Sequence, residues 1–317
     1  MPLFGFGGRG DHGPDEEARE AAARREEDVV RVERGGVPLA AEERIAELAG
    51  RTDGFFTSGL SVADFALTRL QDVQPICQVM GSSVHQVGWQ SYPFSGWSSG
   101  ARIVELRGLT EAWNEARRRA LRRLTEEAAL ARADAVVDVT FERREHAFVD
   151  QAIEVVVNGT AVRLPDGTEK TRANPRLSDL SAPDFTLLRR AGYGPVGVVA
   201  ATSVTYVSAG AATQRLMSGW QMGTANQELT DFTQGVYTAR EQVLGRATRD
   251  AEALGAEGLV GAQLDVHIAV REWESAGNAR HRDLIVTAHV LATAISGHGP
   301  STPPVPSLVV RQGAPTR

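Results

Sequence analysis

An internal duplication is the feature that most constrains the fold, because both copies must take the same fold and then pack against one another. Residues 58–87 align without gaps on 178–207 at a shift of 120, sharing Ser58/Ser178, Leu60/Leu180, Ser61/Ser181, Asp64/Asp184, Phe65/Phe185, Pro75/Pro195 and Val84/Val204. The match resumes at a shift of 123, with Ser95-Gly96-Trp97 on Ser218-Gly219-Trp220, Glu105-Leu106 on Glu228-Leu229, Thr110 on Thr233 and Ala116-Arg117 on Ala239-Arg240. After a further seven-residue insertion, residues 155–162 are matched to 285–292 at a shift of 130. All length changes are expected in loops.

Local signals then assign the elements of each copy. Ser61-x-x-Asp64 and Ser181-x-x-Asp184 read as capping boxes that open short helices, which end before Pro75 and Pro195. The β-rich runs 76–87 and 196–207 follow, with Gly81 read as a bulge. Leu106, Leu109, Trp113, Ala116, Ala120 and Leu124 recur at helical spacing, as do Leu229, Phe232, Val236, Ala239, Val243 and Ala247. Each set predicts a long amphipathic helix. Strands over 136–141 with 153–162, and 259–268 with 284–292, close each unit. The expected fold is α+β: two tandem β-α-β-β units, each an antiparallel sheet on a long helix, each preceded by a capped helix.

Four segments result: a charged helical extension over 1–54 with helices at 15–34 and 40–49, repeats over 55–170 and 171–295, and a disordered Pro/Gly-rich tail over 296–317. The extension and tail are the expected attachment points for another protein. A net charge of −6 gives no global attraction to nucleic acid or anionic lipid, so neither is an expected partner. The single cysteine, Cys77, rules out an intramolecular disulfide or a cysteine-based zinc cluster built from this chain. No run approaches the length of a membrane helix and the first ten residues do not make a signal peptide, so a cytoplasmic location is expected.

Ala133-Asp134-Ala135-Val136-Val137 at the helix-to-strand turn and Val156-Val157-Asn158-Gly159-Thr160-Ala161-Val162 in the last strand resemble the YbjQ-like family of heavy-metal-binding domains. The second copy keeps the form as Leu254-Gly255-Ala256-Glu257-Gly258-Leu259-Val260-Gly261. The resemblance spans residues 55–164 and 176–293. It implies a dodecin-like subunit assembling into pentameric rings, hence a non-enzymatic homo-oligomeric scaffold or binding protein.

Candidate sites follow from that reading. Trp97 and Trp220, in Gly-flanked loops, and Trp113 are the expected interface anchors. No cofactor is expected from the residues. The alternative is a divalent metal or small ligand at subunit junctions, with His85, His146, His267 and His289 as candidate ligands, because symmetry multiplies a lone ligand. The arginines 117, 118, 119, 122 and 123, interleaved with Glu111, Glu115, Glu126 and Glu127, predict a solvated, ion-paired helix face. Gly192-Tyr193-Gly194-Pro195-Val196-Gly197 spells a dinucleotide fingerprint, yet a helix precedes it and a strand follows, the reverse of what pyrophosphate binding needs. Gly96-Trp97-Ser98-Ser99-Gly100 spells a nucleophile elbow and keeps a serine hydrolase using Ser98 as a remote alternative, although Gln221 stands at its place in the second copy.

Overall fold

A computed structural model of the chain describes residues 14–51, 54–88, 100–146, 152–217, 226–274 and 280–297. In chain order its elements are α1 (Pro14–Glu33), α2 (Leu39–Gly50), α3 (Val62–Arg69), β1 (Gln74–Gln86), β2 (Arg102–Glu105), α4 (Arg107–Leu130), β3 (Ala135–His146) and β4 (Ala152–Arg163). They continue with α5 (Glu169–Ala173), β5 (Arg176–Leu177), α6 (Ala182–Arg190), β6 (Tyr193–Ser208), α7 (Ala211–Met217), α8 (Thr230–Ala253), β7 (Gly258–Glu274) and β8 (Arg280–Gly297). The order capped helix, long strand, 24-residue helix, two long strands thus occurs twice. The fold is α+β.

Caps and turns explain the element boundaries. The Ser61 and Ser181 side chains accept from the backbone N–H of Asp64 and Asp184 at 3.1 and 3.3 Å. Each hydroxyl also donates to the carboxylate it faces, at 2.7 and 2.8 Å, where a full capping box would have the serine N–H donate. Left-handed residues stop both halves at equivalent places: Asp72 and Gly192 before the first strand, Arg132 and Gly255 after the long helix, Asp138 and Gly261 inside the third strand. The last pair sits in matching bulges, between Val137 and Thr140 in β3 and between Val260 and Gln263 in β7. The first strands bulge at Pro75/Cys77 and Pro195/Gly197.

Gly81 is not a bulge. It pairs regularly with Val157, and a Cβ there would stand 1.9 Å from the Ala120 carbonyl oxygen. Glycine is present because β1 and α4 approach closely. The last-strand register also differs from the sequence reading. Gln74 pairs with Arg163 and Gly194 with Ser296, so β4 maps onto β8 at a shift of 133 rather than 130. A three-residue error matters, since an odd slip turns every side chain to the opposite face. Thr160 and Thr293 then coincide, both buried, each accepting at 3.0 Å from the backbone N–H of Gly59 or Asp179. The extra length lies in the hairpin strands themselves, which run 17 and 18 residues in β7 and β8 against 12 each in β3 and β4.

The sheets have the orders β1-β4-β3-β5 and β2-β6-β8-β7. The long helix of each half covers one sheet face: Ala116, Ala120 and Leu124 meet Val79, Val155 and Val157, while Ala239, Val243 and Ala247 meet Val199, Ala201 and Val286. The halves are not self-contained. The first half's β2 pairs antiparallel with β6, and β5, which leads into the second half, pairs parallel with β3. The N-terminal extension packs on the first half, burying Val37 and Ile45, with Arg44 donating to Glu127 at 2.9 Å and to the Gln78 carbonyl at 3.2 Å.

Candidate functional site

The junction between the halves holds a buried polar network. Its spine is α4, whose inner face packs on its own sheet while its first turns run along the edge of β6. Leu106 N–H donates to the Val204 carbonyl at 2.8 Å, and Thr110 Oγ1 accepts from Val204 N–H at 3.0 Å. One turn on, the Asn114 amide replaces a strand residue: Oδ1 accepts from Thr202 N–H at 2.9 Å and Nδ2 donates to the Thr202 carbonyl at 3.0 Å. Every hydrogen-bonding group a strand edge exposes must be satisfied when buried, and these side chains do so where β2 has ended. An Arg246–Glu105 ion pair and an Arg143–Asp265 pair at 2.8 Å tie the halves at their margins.

Arg117 lies behind Asn114 with 3% exposure. Its guanidinium donates to Asn114 Oδ1 at 3.0 Å and to Thr202 Oγ1, and lies 6.0 Å from the Phe141 ring. Thr202 Oγ1, receiving that bond, has its own proton left for His289 Nδ1 at 2.8 Å. Arg117 Nη2, which can only donate, also faces Nδ1 at 3.5 Å, so Nδ1 is the acceptor and the imidazole neutral. Burial, then Arg143, Arg117 and His267, push the His289 pKa down to about 2. Burial, then Arg143, lowers Arg117 to about 9. Trp113 closes the group edge-on to His289, with ring centroids 5.3 Å apart at 75°.

Two clefts open beside this network. One of about 310 Å³ is bounded by Arg117, Phe141, Arg143 and Leu291, and one of about 420 Å³ by Trp113, Arg144, His267 and His289. No carboxylate lies within ion-pair distance of Arg117 among the described residues. The smaller cleft sets the carboxylates of Asp138, Asp179 and Asp265 against Arg117 and Arg143, so its polar walls carry both signs of charge.

The sequence-derived candidates fall unevenly around this junction. Trp113 is buried at it, and His267 and His289 share its larger cleft. His85 stands on β1, away from them, its pKa lowered by burial and then by Arg119. His146 ends β3 and its side chain lies outside the described residues, as do Trp97, Ser98 and Trp220. No cluster of three or more His, Cys, Asp or Glu side chains able to hold a metal occurs among the described residues. The expected solvated arginine face is only half of what forms. Arg118 and Arg119 pair with Glu115 at 2.8 Å, but Arg117 and Arg123 are buried, Arg123 donating to the carbonyls of Gly36 and Val32 at 3.1 and 2.8 Å. Sequence reasoning missed Asn114, Thr202 and Arg117 as a set, because Asn114 and Tyr237 are one of many differing pairs between the two long helices.

Comparison with known proteins places these features. Residues 97–165 match the YbjQ family described as "Putative heavy-metal-binding". The encapsulin nanocompartment protein Rv1762c of Mycobacterium tuberculosis is 35% identical over 231 residues, covering 72% of this chain and 83% of that protein. UPF0145 proteins of Vibrio campbellii and Mycobacteroides abscessus are 45% and 47% identical over 60 residues, 19% of this chain and 56% and 54% of theirs. No solved structure matches. No helix among the described residues is long and apolar enough to cross a membrane.

Proposed function

The chain belongs to the family of the mycobacterial encapsulin nanocompartment protein and carries a YbjQ-like domain, and from that premise we propose that it is a non-enzymatic scaffold that self-assembles into a closed homo-oligomer, with a pentameric ring as its unit. The observation that carries this reading is β7, an edge strand with Leu264, Ile268 and Val270 exposed at 39%, 46% and 60%. A long strand with a free edge and an apolar face pairs with another chain unless something blocks it. Native mass spectrometry at micromolar concentration tests it. A discrete oligomer is expected, and monomer alone overturns the reading.

A further inference from the structure

We propose that one copy of this chain joins the next through the same contact that joins its two halves, with the start of α8 and residues 226–228 docking on the β1 edge of a second copy while that copy's Phe56-Thr57 segment docks on β7. This rests on the reading that the chain self-assembles and says which surfaces do it.

The internal contact is reciprocal. The first half lends β2 and the opening turns of α4 to the edge of β6. The second half lends β5 to the edge of β3, with Ser178 N–H donating to the Val136 carbonyl at 2.9 Å and Asp138 N–H to the Leu180 carbonyl at 2.9 Å. Ala182 and Phe185 of α6 are buried against Ala135 and Val137. Each partner has a duplicate elsewhere in the chain. The counterpart of β6 is β1, which ends the first sheet, and that of β3 is β7, which ends the second. The counterpart of β2 is Asn226-Gln227-Glu228, which pairs with no strand among the described residues, and that of β5 is Phe56-Thr57.

The duplicated residues keep their identity but not their burial. Glu105, Leu106 and Thr110 at the filled contact match Glu228, Leu229 and Thr233. Val204 is 0% exposed and its counterpart Val84 61%; Ala182 is 1% exposed and its counterpart Val62 87%. A surface valine at both places is what remains when a partner is removed. A groove of about 1070 Å³ between Val37 and Ala41 of the N-terminal extension and Met80 and Val84 of β1 runs along the β1 edge, and Tyr237 of α8 is exposed.

Geometry makes the contact heterologous, since β1, Phe56 and Val62 belong to the first half and α8 and β7 to the second. Such a contact repeats head to tail and closes a ring when its rotation closes.

Cross-linking reads the register directly. Val104 lies opposite Tyr206 inside the chain, so Gln227 should lie opposite Gln86 of the next copy, within disulfide reach. Full-length Gln227→Cys and Gln86→Cys chains, co-expressed and oxidised, are expected to give a covalent pair, and a chain with both substitutions a ladder. Val84→Arg, at an exposed position, is expected to leave circular dichroism unchanged while reducing the native oligomer to single chains. A wild-type oligomer that neither cross-links above Gln227→Cys alone nor responds to Val84→Arg overturns this contact and leaves self-assembly standing. A wild-type chain that stays monomeric removes both.

Discussion

Arg132 and Gly255 occupy the same position in the two halves, one residue beyond the C-cap of α4 and of α8, and both are left-handed, with φ of +52° and +73°. Each ends its helix by turning the chain so that the next N–H reaches back to the helix: Ala133 to the Ala128 carbonyl and Ala256 to the Ala251 carbonyl, both at 3.0 Å. Only glycine takes this conformation without steric cost.

Replacing Arg132 by glycine should therefore stabilise the chain by about 1 kcal/mol, the strain of a left-handed residue with a Cβ. Its ion pair with Glu169, between two well-exposed groups, offsets little of that. Gly255→Ala should destabilise by a similar amount, and through the backbone alone, since a Cβ there meets nothing within 4 Å. Chemical denaturation of the two variants against wild type measures both, and shifts of the same sign would contradict the assignment.

Gly81→Ala is expected to cost about 1–3 kcal/mol, the range for overpacking a close-packed core, because β1 must move off α4 to clear the Ala120 carbonyl. The second half already carries Ala201 at this place, so the penalty belongs to the first half only. Proteolysis under native conditions should show the first half opening earlier.

Acid stability should reveal His289. Its folded pKa lies far below the unfolded value near 6.5. Below pH 6.5 the unfolded chain therefore binds a proton that the folded chain does not, and stability falls as pH falls, by about 1.4 kcal/mol per unit. Above pH 7 the contribution is flat. His289→Gln should remove that slope, measured as the difference between the two stability curves from pH 4 to 8. Curves that stay parallel throughout would mean that His289 is not buried neutral.

Asn114 and Tyr237 supply a matched contrast. Asn114→Ala leaves the Thr202 N–H and carbonyl without their partners in a buried place, a loss of about 1–3 kcal/mol for each group left unsatisfied. Tyr237→Ala, at the equivalent exposed position, should change the stability of the single chain by no more than about 0.5 kcal/mol. If it lowers oligomer content instead, the α8 surface is in contact with a second copy.

Much of this architecture was legible in the sequence. Helical spacing from Leu106 to Leu124 and from Leu229 to Ala247, the Ser-x-x-Asp caps and the prolines placed the long helices and first strands to within a few residues, while β3, β7 and β8 run well past their expected ends, to His146, Glu274 and Gly297. These signals are local, carried by residues three or four apart whatever the rest of the chain does. The candidate site was far less legible. The four residues of β2 and two of β5 are too short to show any periodicity, and the register of β8 was displaced because repeated alanine, valine and threonine align almost equally well at neighbouring shifts.

The sequence by itself determined that one unit is present twice and where its capped helix, long helix and long strands lie. Only the tertiary structure decided that the halves exchange edge strands, and which of two identical residues is buried. Arg117 and Arg240 are the same letter at the same place in the repeat, yet one is enclosed by Asn114, Thr202 and Phe141 while the other faces solvent. Burial depends on what stands opposite a side chain in space, and in a duplicated chain the first half finds its neighbour in the second while the second half ends on an open surface.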